Sequence, residues 1–227
     1  MSEKTLKEAK NEKDVLLNEV KFFTDEKQAE IKNAFRELKR RVGICASAGS
    51  EGDNLVLLNM LDELCDLSQM LTFMDCKCDF LRVPSLRLYD GDGNYSGIAF
   101  SGVAGGYEID ALVFAICNLG GAAEKLPEDL EKRIKAINKP LKIQIATSLS
   151  CKKCPSAVIN AQKIAALNDK IEAEAVDVDM FSDMREKYGI TRVPTIIVNE
   201  RVLECESDVE SILCELEKGL AHLGITE

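Results

Sequence analysis

No apolar run in the 227 residues reaches the roughly 20 needed to cross a bilayer, and the opening Met-Ser-Glu-Lys-Thr-Leu-Lys-Glu has no signal-peptide stretch. A cytoplasmic protein with no membrane partner is expected. Cations are also short, 29 against 39 acids for a formal net charge of −10. Such a surface repels phosphates. The densest basic runs, Lys39-Arg40-Arg41 and Lys132-Arg133, have acids close by, so no nucleic-acid partner is expected. No G-x-G-x-x-G follows a strand pattern, and Gly102–Gly106 reads as a turn into a helix. A flavin or nicotinamide cofactor therefore has no fingerprint here. Asp90-Gly91-Asp92-Gly93-Asn94 has the outline of a calcium loop, but Ser101 stands where its closing glutamate belongs. The one histidine, His222, falls near a helix end, far from any cysteine pair that might bind zinc.

What is present in quantity is cysteine, nine residues in a chain that is 46% hydrophobic. A core of that size needs no disulfide scaffold, so most are expected to be buried thiols acting as small hydrophobes. Cys45, Cys65, Cys117, Cys205 and Cys214 fall on apolar or strand positions and read that way. Cys76 and Cys78 form a Cys-x-Cys pair close before Pro84 and are candidate accessory thiols, because strained pairs of this kind are labile.

The periodicity divides the chain into an amphipathic, helical extension over residues 1–25 and two halves, 26–122 and 123–227. Helices are expected over 25–40, from Asp53 or Asn54 through Leu64, over 107–118, 126–137, from the thiol motif to about Leu167, over 180–188, and after Asp208. Strands are expected over 41–46, 71–75, 83–89, 95–101, 141–147, 171–178, 194–198 and 201–205. The second half thus reads helix, strand, helix, strand, helix, strand, strand, helix. The first follows the same order with its third helix reduced to a loop. Arg82-Val83-Pro84-Ser85-Leu86 in one half matches Arg192-Val193-Pro194-Thr195-Ile196 in the other, which points to an internal duplication.

The chemistry centres on Ser150-Cys151-Lys152-Lys153-Cys154-Pro155. Two cysteines three apart can close a disulfide in the first turn of a helix. Unpaired amides and the helix dipole there lower the pKa of Cys151, and Lys152 and Lys153 add positive charge. Cys154, further in, is shielded and suits a resolving role. Pro155 fits a first helical turn, where no N–H is needed. Val193-Pro194-Thr195 at a strand's start suits a cis peptide that would present the backbone of Val193 to a partner's extended chain. Left open by the residues alone are a structural zinc site, two incidental core cysteines, and an ordinary turn proline at 194.

The order of elements, with Ser150–Pro155 and Val193-Pro194-Thr195, resembles the thioredoxin and glutaredoxin folds. From about residue 26 to 215 it resembles the tandem thioredoxin-fold N-terminal domain of the bacterial alkyl hydroperoxide reductase flavoprotein. Ser101-Gly102 before a helix ending Leu119-Gly120-Gly121, and Leu149-Ser150-Cys151, carry that likeness. Related protein disulfide oxidoreductases share the duplication but keep thiol pairs in both halves. The resemblance implies an α/β fold of two tandem thioredoxin-like units, each a central mixed sheet flanked by helices. It implies Cys151 as attacking thiol, Cys154 as resolving thiol, Pro194 as cis-proline, and a first half that is inactive, since no C-x-x-C precedes residue 151. The implied function is a dithiol–disulfide oxidoreductase passing electrons from a flavin-dependent reductase to a peroxiredoxin. A general disulfide oxidoreductase or isomerase, or a non-catalytic or zinc-binding module, are the alternatives. The 141–147 strand lacks the buried aspartate of many thioredoxins, so proton transfer at Cys154 is assigned to water or to a group such as Glu172 or Asp177.

Overall fold

The computed structural model describes residues 21–47, 52–75, 82–122 and 125–222, so nearly all of the expected N-terminal extension lies outside the described residues. In chain order the elements are α1 (Asp25–Phe35), β1 (Val42–Ser47), α2 (Gly52–Asp66), β2 (Leu71–Asp75), β3 (Ser85–Tyr89), β4 (Tyr95–Ser101) and α3 (Glu108–Cys117). They continue with α4 (Glu128–Ala136), β5 (Leu141–Thr147), α5 (Cys154–Ala165), β6 (Ile171–Asp177), α6 (Ser182–Tyr188), β7 (Thr195–Val198), β8 (Arg201–Val202) and α7 (Val209–His222). Both halves therefore follow one plan. The segment where the first half would carry its third helix falls mostly within residues 76–81, outside the described residues.

The halves are fused through one eight-stranded sheet of order β2-β1-β3-β4-β6-β5-β7-β8, an α/β fold with a central mixed sheet flanked by helices. β4 of the first half lies parallel to β6 of the second, pairing Ile98 with Ala173 and Ser101 with Val176. From β1 to β7 one register row runs Ser47, Ser85, Ser101, Val176, Ala146, Thr195. Because β1, β2, β4, β5 and β6 are parallel, their C-terminal ends share one rim. The segments entering the antiparallel strands β3 and β7 reach the same rim.

Local chemistry explains most boundaries. Thr24 caps α1 by accepting the Lys27 N–H at 3.2 Å, and Ile31 and Phe35 point into the core. α1 ends earlier than its periodicity suggests. The N–H groups of Lys39 and Arg40 both donate to the Gly120 carbonyl, at 2.8 and 3.1 Å, which draws the chain off the helical path. Asp90 accepts the N–H groups of Asp92 (3.0 Å) and Asn94 (2.8 Å), so its carboxylate is used to build the hairpin turn before β4. Asp208 caps α7 through the Ser211 N–H at 2.9 Å.

The seam between the halves is polar on one sheet face and apolar on the other. On the polar face the buried Glu174 of β6 accepts from Ser101 (2.6 Å), Gln144 (2.9 Å) and Lys142 (2.9 Å), with Arg82 at 3.6 Å. Burial alone would raise its pKa, but Lys142 and these donors hold it below the ordinary carboxylate range. Ser101 and Arg82 come from the first half, so this network joins the halves by charge-assisted bonds. On the other face, Ile98 and Phe100 join Ile143, Ile145, Ile164 and Ile171 in one continuous core.

Candidate functional site

Cys151 and Cys154 lie at the rim after β5 and are joined in a disulfide with a Cα–Cα separation of 5.5 Å. The helix begins later than the sequence suggests. α5 starts at Cys154, with Lys153 as its N-cap, and Cys151 belongs to the turn before it. The cause is a tight loop in which the Cys151 N–H donates to the Ser148 carbonyl at 2.9 Å. The expected amide contact survives this shift, since the Cys154 N–H donates to the Cys151 sulfur at 3.1 Å. Pro155 occupies the first helical turn, where its missing N–H costs nothing. Cys151 is half-buried, Cys154 has no exposed surface, and Lys152 and Lys153 are exposed.

The thiol loop is held from both halves. Ser148 donates to Asp179 and lies 3.2 Å from the Ser150 hydroxyl. Asp179 also accepts from Arg185 at 2.7 Å, and these two partners hold its pKa below the usual range. From the first half, the Tyr107 N–H donates to the Leu149 carbonyl at 3.1 Å. Gly106, at φ +55°, packs so closely that a Cβ there would sit 2.5 Å from the same oxygen. A Gly106→Ala substitution is therefore expected to lower stability by about 1–3 kcal/mol, from the left-handed backbone and the clash together. It should also displace Cys151, so thermal denaturation and thiol reactivity should both change. Normal values of both would contradict a fixed loop.

Both X-Pro bonds at the rim, Val193-Pro194 and Val83-Pro84, are cis. The following residues make matching hydrogen bonds, Thr195 Oγ1 to the Arg192 carbonyl (2.7 Å) and Ser85 Oγ to the Arg82 carbonyl (2.6 Å). The cis bond at Pro84 lies in the half without a C-x-x-C, at the position that the Arg-Val-Pro repeat matches to Pro194. Val193, Pro194 and Thr195 are all half-buried.

The most informative residue that the sequence did not flag is Glu108, the first residue of α3. It is 2% exposed, and no hydrogen bond satisfies either carboxyl oxygen, since the nearby Thr147 hydroxyl donates to the Val176 carbonyl at 3.3 Å instead. Burial pushes its pKa up to about 7; the Thr147 hydroxyl opposes this and the nearby Asp177 carboxylate adds to it. Asp177 ends β6 opposite Thr147, and burial raises its pKa too. Glu172, the other acid considered for proton transfer, pairs with Lys142 at the far end of the strand. Five residues separate it from Asp177, roughly 17 Å of strand, which removes it from the site. The only available hint of Glu108 was an acid heading the apolar run Glu-Ile-Asp-Ala-Leu-Val-Phe-Ala-Ile-Cys.

The remaining cysteines separate into groups. Cys65, Cys117, Cys205 and Cys214 are free and half-buried, less enclosed than core positions would be. Cys45 is fully buried but disulfide-bonded, which corrects its reading as a free core thiol. Cys76 and Cys78 lie outside the described residues. Among the described residues no three His, Cys, Asp or Glu side chains are grouped as metal ligands, and no helix is long and apolar enough to cross a membrane.

Residues 141–204 match the family model described as a thioredoxin domain. The chain is 30% identical over 195 residues to the F component of alkyl hydroperoxide reductase from Pseudomonas aeruginosa, covering 86% of this chain and 37% of that protein. It spans about a third of the length of the curated relatives it matches. Among solved structures, the NTD_N/C domain of alkylhydroperoxide reductase AhpF from Enterococcus faecalis superposes with a TM-score of 0.81 at 30% identity, over 86% of this chain and 99% of that one. A protein disulfide oxidoreductase from Aeropyrum pernix K1 shares the fold, at a TM-score of 0.78 and 21% identity over 88% of this chain and 94% of that one. With a Cys151–Cys154 disulfide and 30% identity over nearly the whole Enterococcus domain, this chain belongs to the family of N-terminal thioredoxin-fold domains of the alkyl hydroperoxide reductase AhpF.

Proposed function

We propose that the chain is a dithiol electron carrier that takes electrons from a flavin-dependent disulfide reductase and delivers them to the disulfide of a peroxiredoxin, in the cytoplasm. The observation that carries this reading is the asymmetry of the pair. One sulfur is reachable and receives a backbone N–H, while the other is enclosed. In the reduced protein, the Cys151 thiolate attacks one sulfur of the partner disulfide. An intermolecular S–S bond forms, the partner's bond breaks, and the released partner thiolate takes a proton. Cys154 then loses its proton and attacks the Cys151 sulfur, which frees the partner as a dithiol and closes the internal disulfide. Two electrons have passed to the partner, and its two thiolates take their protons from water. Glu108, buried at the same rim with a pKa of about 7, is suited to take the Cys154 proton and return it when the disulfide is reduced again. Lys152 and Lys153 favour the thiolate over the thiol at Cys151. The half-buried Val193-Pro194-Thr195 segment supplies backbone groups to the partner's chain. The residue spans 26–122 and 123–227 are read as the two units, the second carrying the chemistry.

Incubating Cys154→Ser protein with an oxidised peroxiredoxin tests the reading directly. The expected product is a stable mixed disulfide through Cys151, reversed by dithiothreitol and identified by mass spectrometry. Failure of that adduct to form with an oxidised peroxiredoxin would rule out this direction of electron flow.

A further inference from the structure

Among the described residues five large apolar side chains are exposed: Leu55, Val56, Val83, Tyr107 and Val202. Four belong to the first half, and all four lie at the rim that carries the disulfide. Leu55 and Val56 are in the opening turn of α2, which follows β1. Val83 immediately precedes Pro84 at the entrance to β3, and Tyr107 precedes α3 after β4. Tyr107 touches the thiol loop itself through its bond to Leu149, and the Lys152 ammonium sits 5.8 Å from the centre of its ring. The strand order β3-β4-β6-β5 puts Val83 three strand spacings from the thiol loop, roughly 14 Å.

Among the described residues, the unpaired exposed charges beside the disulfide are cationic. Lys152, Lys153 and Arg192 are exposed and pair with no carboxylate among the described residues. The exposed acids nearby are engaged, Asp179 with Arg185 and Asp183 with Arg82. Among the described residues, the rim of this strongly acidic chain thus offers free cations around the Cys151–Cys154 disulfide, continued by an apolar patch over the half that has no C-x-x-C.

We infer that the first half serves as a docking platform, and that the folded peroxiredoxin of the proposed reaction binds across both halves, with carboxylates over Lys152, Lys153 and Arg192 and an apolar patch over Val83 and Leu55. A standard protein interface buries about 800 Å² per partner, which is ample to span the distance from Cys151 to Val83. Exposed apolar side chains beside a reacting centre are where truncation typically costs binding most. Acidic groups on the partner match the cations and would speed encounter. The inference rests on the proposed function and assigns the duplicated half, which has no C-x-x-C, a recognition role in it.

The test compares reduction of an oxidised peroxiredoxin with reduction of 5,5′-dithiobis(2-nitrobenzoate), a disulfide too small to cover the face. Val83→Asp and Leu55→Asp change side chains that are 42% and 39% exposed and lie outside the thiol loop. Each is expected to lower kcat/KM for the peroxiredoxin about tenfold or more, through KM, while the small disulfide reacts at the native rate. Val202→Asp, on the edge strand β8 away from this rim, should behave as native with both. Native kcat/KM in Val83→Asp and Leu55→Asp overturns the inference, as does an equal loss with the small disulfide, which would mean that they act through the thiol loop. A peptide bearing the peroxiredoxin's cysteine disulfide that reacts as fast as the whole protein also overturns it. So does sedimentation of the native chain as a dimer that Val83→Asp dissociates, which would give the face to a second copy. If the native chain reduces the small disulfide but not the peroxiredoxin, the proposed function fails and the platform fails with it.

Discussion

Cys151→Ser protein is expected to lose disulfide-exchange activity by about a thousandfold or more, measured against either an oxidised peroxiredoxin or a small aromatic disulfide. The thiols of Cys154, Cys65, Cys117 and Cys205 are not suited to take its place. Cys154 has no exposed surface, so it meets only a sulfur already delivered to Cys151. Burial raises the pKa of Cys65 to about 11, with Asp62 and Asp66 adding to the shift. Burial also raises those of Cys117 and Cys205. At neutral pH these sulfurs stay protonated, and the thiol is a poor nucleophile. Cys154→Ser protein should differ in kind, since it keeps the first attack and stalls at the mixed disulfide. If Cys151→Ser retains more than a few per cent of the activity, the nucleophile has been assigned to the wrong sulfur.

Glu108→Gln should move stability and rate in opposite directions. The carboxyl has an ordinary pKa of 4.5 when exposed and about 7 in the folded protein. Between those values the folded state holds a proton that the unfolded state has released. Stability therefore falls as pH rises from about 4.5, and the full loss is reached above about pH 7. At 1.36 kcal/mol per pKa unit, the cost at pH 8 is roughly 3 kcal/mol, an order-of-magnitude figure. Glutamine has nearly the same shape and no charge to bury. Glu108→Gln protein should thus resist denaturant better than native at pH 8, and the two should converge near pH 4. Denaturant titrations at the two pH values check this, and equal stability at pH 8 would mean that the carboxyl is solvated. The same variant loses the group suited to take the Cys154 proton. Its resolution step should slow by roughly 10²-fold or more, and the rate dependence on pH near 7 should disappear. A merely structural role would leave that pH profile unchanged.

The residues made much of this legible. Strand and helix periods gave the order of elements, because alternating and 3.6-residue patterns are local properties of the chain. The helix after Asp208 was readable for the same reason, since Asp208 bonds a backbone group three residues on. The pair Cys151–Cys154, the proline at 194 and the repeat of Arg-Val-Pro were visible as short contiguous motifs. Boundaries were less legible. α1 stops at Phe35 because of the distant Gly120 carbonyl, and α5 starts late because Ser148 captures the Cys151 N–H.

By itself, then, the sequence determined the duplicated α/β plan and the thiol chemistry at residue 151, because both are written in spacings of a few residues. Only the tertiary structure decided which buried acid reaches the rim that carries the disulfide, and that the first half touches the thiol loop through Tyr107. Glu108 and Tyr107 are more than forty positions before Cys151, and they reach its rim because β4 pairs with β6 and brings the two halves into one sheet. Such a pairing is set by how two apolar faces and one shared carboxylate network fit together, which no local pattern encodes.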